Sequence, residues 1–418
     1  MASANDRIQI ATIGVGGMGM GDTRYALNVP GVQLIGVCDV YDGRLERSRE
    51  IWGKDIFTTR DYREVLARKD VDAVIIATPD HWHARLTTEA LAAGKHVYCE
   101  KPMVQKISEG HGVIEAHKKS GRILQIGSQY VSSHVFQKAK DLLAAGAIGE
   151  LNMVEAWLDR NSAIGAWQYS IPPDASPQTV DWDRFLGHAP KRPFEPIRMF
   201  RWRNYQDYGT GVAGDLFVHL LSGLHLVTGS LGPRRVYATG GIRFWKDGRD
   251  VPDVMLALLD YPKTQHHPEF TLALRVNFAS GGTQESFGFR FVGSEGVMTT
   301  SMSTLSLSKV PRESEPGFTI DTFPKRVQEE FLKQYRAKYP LQAPNADAMR
   351  ATEDLRYTAR TSAHQEHHRV FYEAIRTGRQ SLEDGVFGLR AAGPALLANT
   401  SVYENRICRW DPEKMAEV

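Results

Sequence analysis

Over the first 150 residues, short and almost unbroken apolar runs alternate with helical patterns, and few folds accept such an order. "RIQIATIG", "VQLIGVCDV", "VDAVIIATP", "KHVYCE" and "RILQIGS" are each one strand long, with too few polar positions for a face turned to water. Between them lie "RLERSREIWG", "DYREVLARK", "ARLTTEALAAG" and "ISEGHGVIEAHKKSG". Several of these end in glycine, a common helix stop. Strand and helix in alternation predict βαβ units and a parallel sheet covered on both faces.

After "QKAKDLLAAGAIGEL" the texture changes. Residues 151–305 carry "NMVEAWLDR", "RRVYATGGIRF", "VMLALLDYP", "FTLALRVNFAS" and "SFGFRFVGSEGVMTT", with one clear helix among them, "GDLFVHLLSGLHLVTG". Strands without intervening helices predict an open mixed or antiparallel sheet. Residues 306–350 read as irregular and charged, and two amphipathic helical patterns follow from about Thr361. The expected architecture is an α/β domain over 1–128 followed by an α+β domain over 129–418. The last helix, near 384–403, is expected to pack back on the first domain.

Composition removes several classes of partner. Lys and Arg number 51 against 49 Asp and Glu, without a basic stripe or charged tail, so neither nucleic acid nor a membrane surface is indicated. The longest apolar runs are far too short to span a bilayer. Cys38, Cys99 and Cys408 are widely spaced and odd in number, which predicts neither a disulfide framework nor a zinc site. Cys38 and Cys99 fall in apolar strand runs and read as small buried hydrophobes. "MASANDRIQIATIGVG" carries no signal peptide, yet Met-Ala-Ser running straight into a strand also fits a removed export sequence. Localisation stays open between cytoplasm and periplasm.

"ATIGVGGMGMGD" places Gly14, Gly16 and Gly19 directly after the first strand and at the opening of a helix. The first glycine permits a tight turn, and the second lets backbone approach a pyrophosphate. The third allows close helix–strand packing. An acid should end the second strand and bind the adenosine ribose, and Asp39 stands there. The pattern is that of a Rossmann dinucleotide-binding domain. An acid at this place repels a 2′-phosphate, so NAD is expected over NADP, with Arg44 and Arg47 near enough to moderate the preference.

Ligands of open α/β sheets bind where the strands end. In "ATPDHWH", Pro79 stops a strand, and His81 and His83 follow as loop residues, as caps, or as walls of the pocket. "HVYCEKPM" delivers Lys101 to the same crevice, toward the nicotinamide, with Pro102 fixing the backbone and Glu100 placed to hold the lysine in an ion pair. The expected cofactor contacts are Gly14, Gly16, Gly17, Met18, Gly19, Asp39, Thr78, Pro79, His83, Glu100 and Lys101.

Glycine fingerprint, terminal Asp, "ATPxxxH" and then "EKP" together resemble the glucose–fructose oxidoreductase/inositol dehydrogenase/rhizopine catabolism (Gfo/Idh/MocA) family. The likeness covers essentially the whole chain. "AGAIGEL" resembles the family's crossover into its second domain, "GSEG" at Gly293–Gly296 its strand-turn motif, and "IRTGRQSLEDGVFGLRAAGPALLANTSVYENRICRWDP" the ending of a large subgroup. The resemblance implies an active site joining Lys101 to Asp215 and His219 on the one clear helix. Spacing i, i+4 puts those two side chains on one helix face. Without the resemblance the pair reads as a surface ion pair. Implied is oxidation of a secondary hydroxyl of a sugar, glycoside or polyol by hydride transfer. His219 would act as base, Lys101 would support the developing alkoxide, and Asp215 would orient His219.

Two positions depart from the family. Ser222 stands where an acid is common, which bears on sugar specificity, and Gln129 and Tyr130 stand where an arginine is frequent. The family's NAD-dependent glycosidases lack the lysine of "EKP". "MFRWRNYQDYG" offers Trp202, Arg203, Tyr205 and Tyr208 either to a sugar ring or to an interface. Trp157, Trp167 and Trp182 read as core or subunit contacts. "HQEHH" at His364–His368 has helical spacing, but exposed helix histidines are commoner than metal ligands, so no metal is expected. The "HH" at His266 reads as a loop. The alternative to a dehydrogenase with exchangeable NAD is a redox-neutral enzyme with tightly bound NAD(H): a sugar–sugar oxidoreductase, an epimerase, or a lyase or glycosidase acting through a keto intermediate. A homodimer or homotetramer is expected by resemblance.

Overall fold

The computed structural model describes residues 7–309, 319–338, 355–359 and 361–418. Six strands form the first sheet: β1 (Ile8–Ile13), β2 (Val32–Cys38), β3 (Phe57–Thr59), β4 (Ala73–Ile76), β5 (His96–Glu100) and β6 (Leu124–Gly127). All pair in parallel, in the order β3-β2-β1-β4-β5-β6. Every residue of β4 and β6 is buried, which is why these strands read as continuous apolar runs. The order reverses between β1 and β4, and the crevice at their carboxyl ends is where a ligand of such a sheet binds.

Among the described residues the second sheet has ten strands: β7 (Leu151–Asp159), β8 (Arg235–Gly241), β9 (Val254–Tyr261), β10 (Phe270–Asn277), β11 (Ser286–Gly293), β12 (Gly296–Thr300), β13 (Thr304–Lys309), β14 (Leu355–Thr358), β15 (Cys408–Asp411) and β16 (Ala416–Glu417). Their order is β14-β13-β12-β11-β7-β10-β9-β8-β15-β16. Among the described residues only β7 and β10 pair in parallel, so the sheet is mixed. Along β9 buried and wetter residues alternate, the mark of one covered face. Helix Val218–Thr228 lies on that face and is buried at every position, as its apolar sequence requires.

The stretch expected to be irregular is more ordered than its composition suggests. Its first residues belong to β13, and Lys325–Lys338 forms a largely exposed helix that carries Val327 and Phe331 at its surface among its charges. Charge there reflects a solvated helix rather than a loop. The remainder of 306–350 lies partly outside the described residues.

Two late helices return to the first sheet. Ala363–Thr377 supplies Phe371, Tyr372 and Ala374 to a core shared with Ile8, Ile10 and Tyr98. Gly385–Glu404 sends Leu389 and Leu396 into the first-sheet core, and Ala391, Ala395 and Leu397 into the core beneath the second sheet. One rod therefore belongs to both cores. All three cysteines are free and buried. No helix among the described residues is long and apolar enough to cross a membrane.

Candidate active site

The glycine loop is shaped by contacts that no side chain would survive. Gly14 has φ +87, and a Cβ there would stand 2.7 Å from the carbonyl oxygen of Ala77 on the β4 exit. A Cβ on Gly19 would overlap the carbonyl of Gly14. Gly19 therefore sets helix–strand packing and lies behind the cavity wall, not on it. Gly14, Gly16, Gly17 and Met18 do line the cavity, and nothing stands within 4 Å of a Cβ built on Gly17. The helix Gly17–Leu27 starts there without a side-chain cap, and its first residues Gly17 and Met18 line the cavity. An open backbone at an uncapped helix N-terminus fits the pyrophosphate of a dinucleotide.

Asp39 ends β2 and is buried. Its Oδ2 accepts the N–H of Val15 at 2.9 Å and its Oδ1 the N–H of Tyr41 at 3.0 Å, with Arg44 Nη1 3.4 Å away. The carboxylate is held in place and still faces the cavity, ready to accept ribose hydroxyls. Thr78 and Pro79 line the cavity at the end of β4, and Thr78 Oγ1 is buried without a partner. A buried hydroxyl that nothing in the protein satisfies is a further fit to a bound dinucleotide.

His81 and His83 do not reach the cavity. His83 Nδ1 lies 2.7 Å from the Pro102 carbonyl and Nε2 2.9 Å from that of Thr78, so the ring ties the β4 exit to the loop after β5. His81 Nε2 meets the Phe185 carbonyl at 2.9 Å, and burial lowers its pKa to about 4. Both are structural, and neither is a solvated loop residue. His81 belongs to a short 3₁₀ turn, and His83 opens the helix that follows.

Lys101 follows β5, across a cis bond to Pro102, and is 8% exposed. Its partner is Asp215 Oδ1 at 2.7 Å, not Glu100. Glu100 is turned to the amide of Gln129, and burial together with Asp22 alongside pushes its carboxyl well above the usual range, so it offers the lysine little charge. Asp215 also accepts from Arg203 Nε at 3.2 Å. Burial raises its pKa, but Lys101 and Arg203 outweigh burial and hold the carboxyl well below the ordinary value.

Asp215 and His219 both line the cavity with Lys101, yet the role expected of Asp215 changes. Its near oxygen is spent on Lys101 and Arg203, and His219 Nδ1 is buried with no partner at all. The local backbone accounts for this. Ala213–Phe217 is a π-helical turn inserted before the α-helix Val218–Thr228, so i and i+4 no longer stack as in an α-helix. Burial first, then the charge of Lys101, pushes the His219 pKa well below the ordinary histidine value. A neutral imidazole with a vacant nitrogen is the result.

Asp80, also in "ATPDHWH", fixes the start of that helix. Its Oδ2 accepts Thr210 N–H at 3.0 Å and Thr210 Oγ1–H at 2.6 Å. One buried carboxylate thus ties the β4 exit to the segment bearing Asp215.

Gly14, Gly16, Asp39, Lys101, Asp215 and His219 line one cavity of about 1060 Å³. Trp202 and Arg203 line it, with the guanidinium 4.2 Å above the indole ring. Tyr205 and Tyr208 do not. Tyr205 packs under Arg198, and Tyr208 is wholly buried against His81 and Phe185. Arg160 and Tyr169, which no motif singles out, also line the cavity, as do Tyr130 and His364. Arg160 immediately follows β7, whose carboxyl end was the available signal. Tyr130 packs edge-on against His219 at 5.3 Å. His364 comes from the "HQEHH" run read as exposed. Its neighbours His367 and His368 are buried, held by Ser132 and the Ile126 carbonyl and by Asp22 respectively. Among the described residues no group of three or more His, Cys, Asp or Glu could hold a metal.

A parallel sheet with an open glycine loop, sharing its cavity with a mixed-sheet half, defines a two-part dinucleotide-binding protein. A family model described as an oxidoreductase family with an NAD-binding Rossmann fold matches residues 8–128, and its C-terminal α/β domain model matches 140–391. The chain belongs to the Gfo/Idh/MocA oxidoreductase family. It is 32% identical over 149 residues to an inositol 2-dehydrogenase of Salmonella paratyphi B, covering 35% of this chain and 44% of that protein. To a glycosyl hydrolase family 109 protein of Shewanella baltica it is 28% identical, covering 37% and 36%. The matched part thus spans less than half the length of these relatives. Solved structures share the fold throughout. Levoglucosan dehydrogenase with NADH and levoglucosan superposes with TM-score 0.66 at 17% identity, over 96% of this chain and 98% of that one. Aldose–aldose oxidoreductase from Caulobacter crescentus does so with 0.66 at 19%, over 96% and 99%.

Proposed function

We propose that this protein is an NAD-dependent oxidoreductase that oxidises a secondary hydroxyl of a sugar, glycoside or polyol. One observation carries the reading: an ammonium group from the glycine-loop half and a neutral imidazole from the other half line the same cavity as the glycine loop. Nicotinamide, when bound, supplies a two-electron acceptor for the substrate's carbinol hydrogen. The residues do the rest. His219 takes the hydroxyl proton, and its low pKa keeps it free to do so at neutral pH. Lys101 donates a hydrogen bond to the oxygen as negative charge develops on it. Asp215 holds that ammonium in place, rather than orienting the histidine. Arg203 and Trp202 form a wall for a ring substrate.

Names of relatives and neighbours, inositol and levoglucosan dehydrogenases among them, favour a carbohydrate or polyol substrate. The lysine of "EKP" favours oxidoreduction over the hydrolysis named for the Shewanella relative. Asp39 favours NAD over NADP. The test is nicotinamide reduction against a panel of free sugars, glycosides, inositols and sugar acids. Lys101→Met and His219→Ala are each expected to lose about a hundredfold or more in kcat while still quenching or shifting NADH fluorescence on binding. Near-normal kcat in either variant overturns the assignment.

A further inference from the structure

The run "HQEHH" opens the helix Ala363–Thr377, and two of its three histidines are engaged elsewhere. His367 Nδ1 lies 2.7 Å from Ser132 Oγ and its Nε2 2.9 Å from the Ile126 carbonyl, while His368 Nε2 lies 3.2 Å from Asp22 Oδ1. These contacts pin the helix against the first sheet. His364, in the first turn and only partly buried, is left over. Its ring stacks on Tyr25 at 5.5 Å and meets Tyr130 edge-on at 6.1 Å, and neither ring nitrogen has a hydrogen-bond partner among the described residues. It lines the same cavity as His219, and Tyr130 touches both rings, lying edge-on to His219 at 5.3 Å.

Oxidation of a carbinol creates a need that His219 cannot meet alone. Burial and the charge of Lys101 press its imidazolium to give up any proton it takes. Nδ1 is sealed without a partner, so the proton enters and leaves through Nε2. Two neighbours cannot receive it. Asp215 is held between Lys101 and Arg203, which keep its carboxyl well below the ordinary value. The Tyr130 hydroxyl donates to Met302 Sδ at 3.6 Å, and burial pushes its pKa up to about 12. Among the described residues His364 is the only other imidazole lining the cavity. Burial, and then His368, lower its pKa below the ordinary 6.5, so at neutral pH it stands empty. We propose that His364 is the proton outlet of the site, taking the proton from His219 across the cavity and passing it to solvent. The inference rests on the oxidoreductase reading above. Its balance is complete. The carbinol C–H bond breaks and its electron pair goes with the hydrogen to the nicotinamide. The O–H proton passes to His219, then to His364, then to water. The alcohol becomes a ketone, and both imidazoles end neutral.

The test uses the full chain and the carbohydrate that it oxidises fastest. In weak buffer, His364→Ala is expected to lose about tenfold or more in kcat, with KM and NADH binding little changed. Added imidazole, which fits the vacated space, should restore kcat in that variant as its concentration rises and leave the wild type unmoved. A side chain with a merely structural role would show no such rescue. His364→Gln is the second variant if the alanine protein folds poorly, and its kcat should likewise climb with imidazole concentration. Near-normal kcat in weak buffer, or a loss that imidazole does not restore, overturns the outlet and leaves the oxidoreductase reading standing. Failure of the wild type to reduce NAD with any carbohydrate overturns both.

Discussion

Asp215 carries its charge out of water because two cations share it. Breaking such a buried pair by removing one partner costs about 3–5 kcal/mol, since the other charges stay behind. Asp215→Asn keeps the shape and leaves Lys101 and Arg203 uncompensated. It is expected to lower unfolding free energy by that order and to lose turnover, measured by urea titration and steady-state kinetics. Buried histidines give the molecule a pH dependence of definite sign. Burial lowers the pKa of His81 to about 4 and of His225, His367 and His368 to about 3, from an ordinary 6.5. The unfolded chain therefore binds more protons between about pH 6.5 and those values, and stability falls as pH drops through that window. Thermal unfolding is expected to be flat with respect to these groups above pH 6.5 and to fall steadily below it. Lys101 is reached in the sequence by motif and strand-end position together, whereas Asp215 and His219 are reached only through the family resemblance, since without it the pair reads as a surface ion pair. Tyr205 and Tyr208 are not legible, because composition cannot tell an aromatic ring that faces a sugar from one that fills a core. His364 hides in a run whose spacing looks solvent-facing until the first sheet is packed against it.

Element by element, the parallel sheet is the most readable part, since strands buried on both faces announce themselves as apolar runs. The π-helical turn at Ala213–Phe217 is invisible to periodicity, and it redirects Asp215 from histidine to lysine. The buried cap on that segment is equally hidden. Asp80 sits in a quoted motif, but nothing local says that Thr210, 130 positions on, will be its partner. Asp80→Ala leaves the Thr210 N–H and hydroxyl unpaired inside the protein, and is expected to cost about 1–3 kcal/mol. Because the cap holds the lysine's partner in register, kcat should fall more than cofactor affinity. Equal loss of both would assign Asp80 to folding alone. Leu389→Ala tests the shared rod in the same way: about 2–5 kcal/mol of stability should go, with a single cooperative transition.

For the whole molecule, the uncovered face of the ten-stranded sheet invites company. Leu256, Leu258 and Tyr237 on neighbouring strands β9 and β8 are 48, 53 and 43% exposed. We propose that copies of this chain pair through that face. Light scattering should report a dimer or tetramer, and Leu256→Asp with Leu258→Asp should yield monomers that still bind NADH. The division into 1–128 and 129–418, written cleanly in the motifs, is a proposal about evolution more than about folding. Contacts such as Asp22 with His368, 346 positions apart, close the first sheet with helices drawn from the far end of the chain. On the ribosome, then, the half that emerges first must wait with one flank of its core bare, and chaperone demand should peak before the last helices are released.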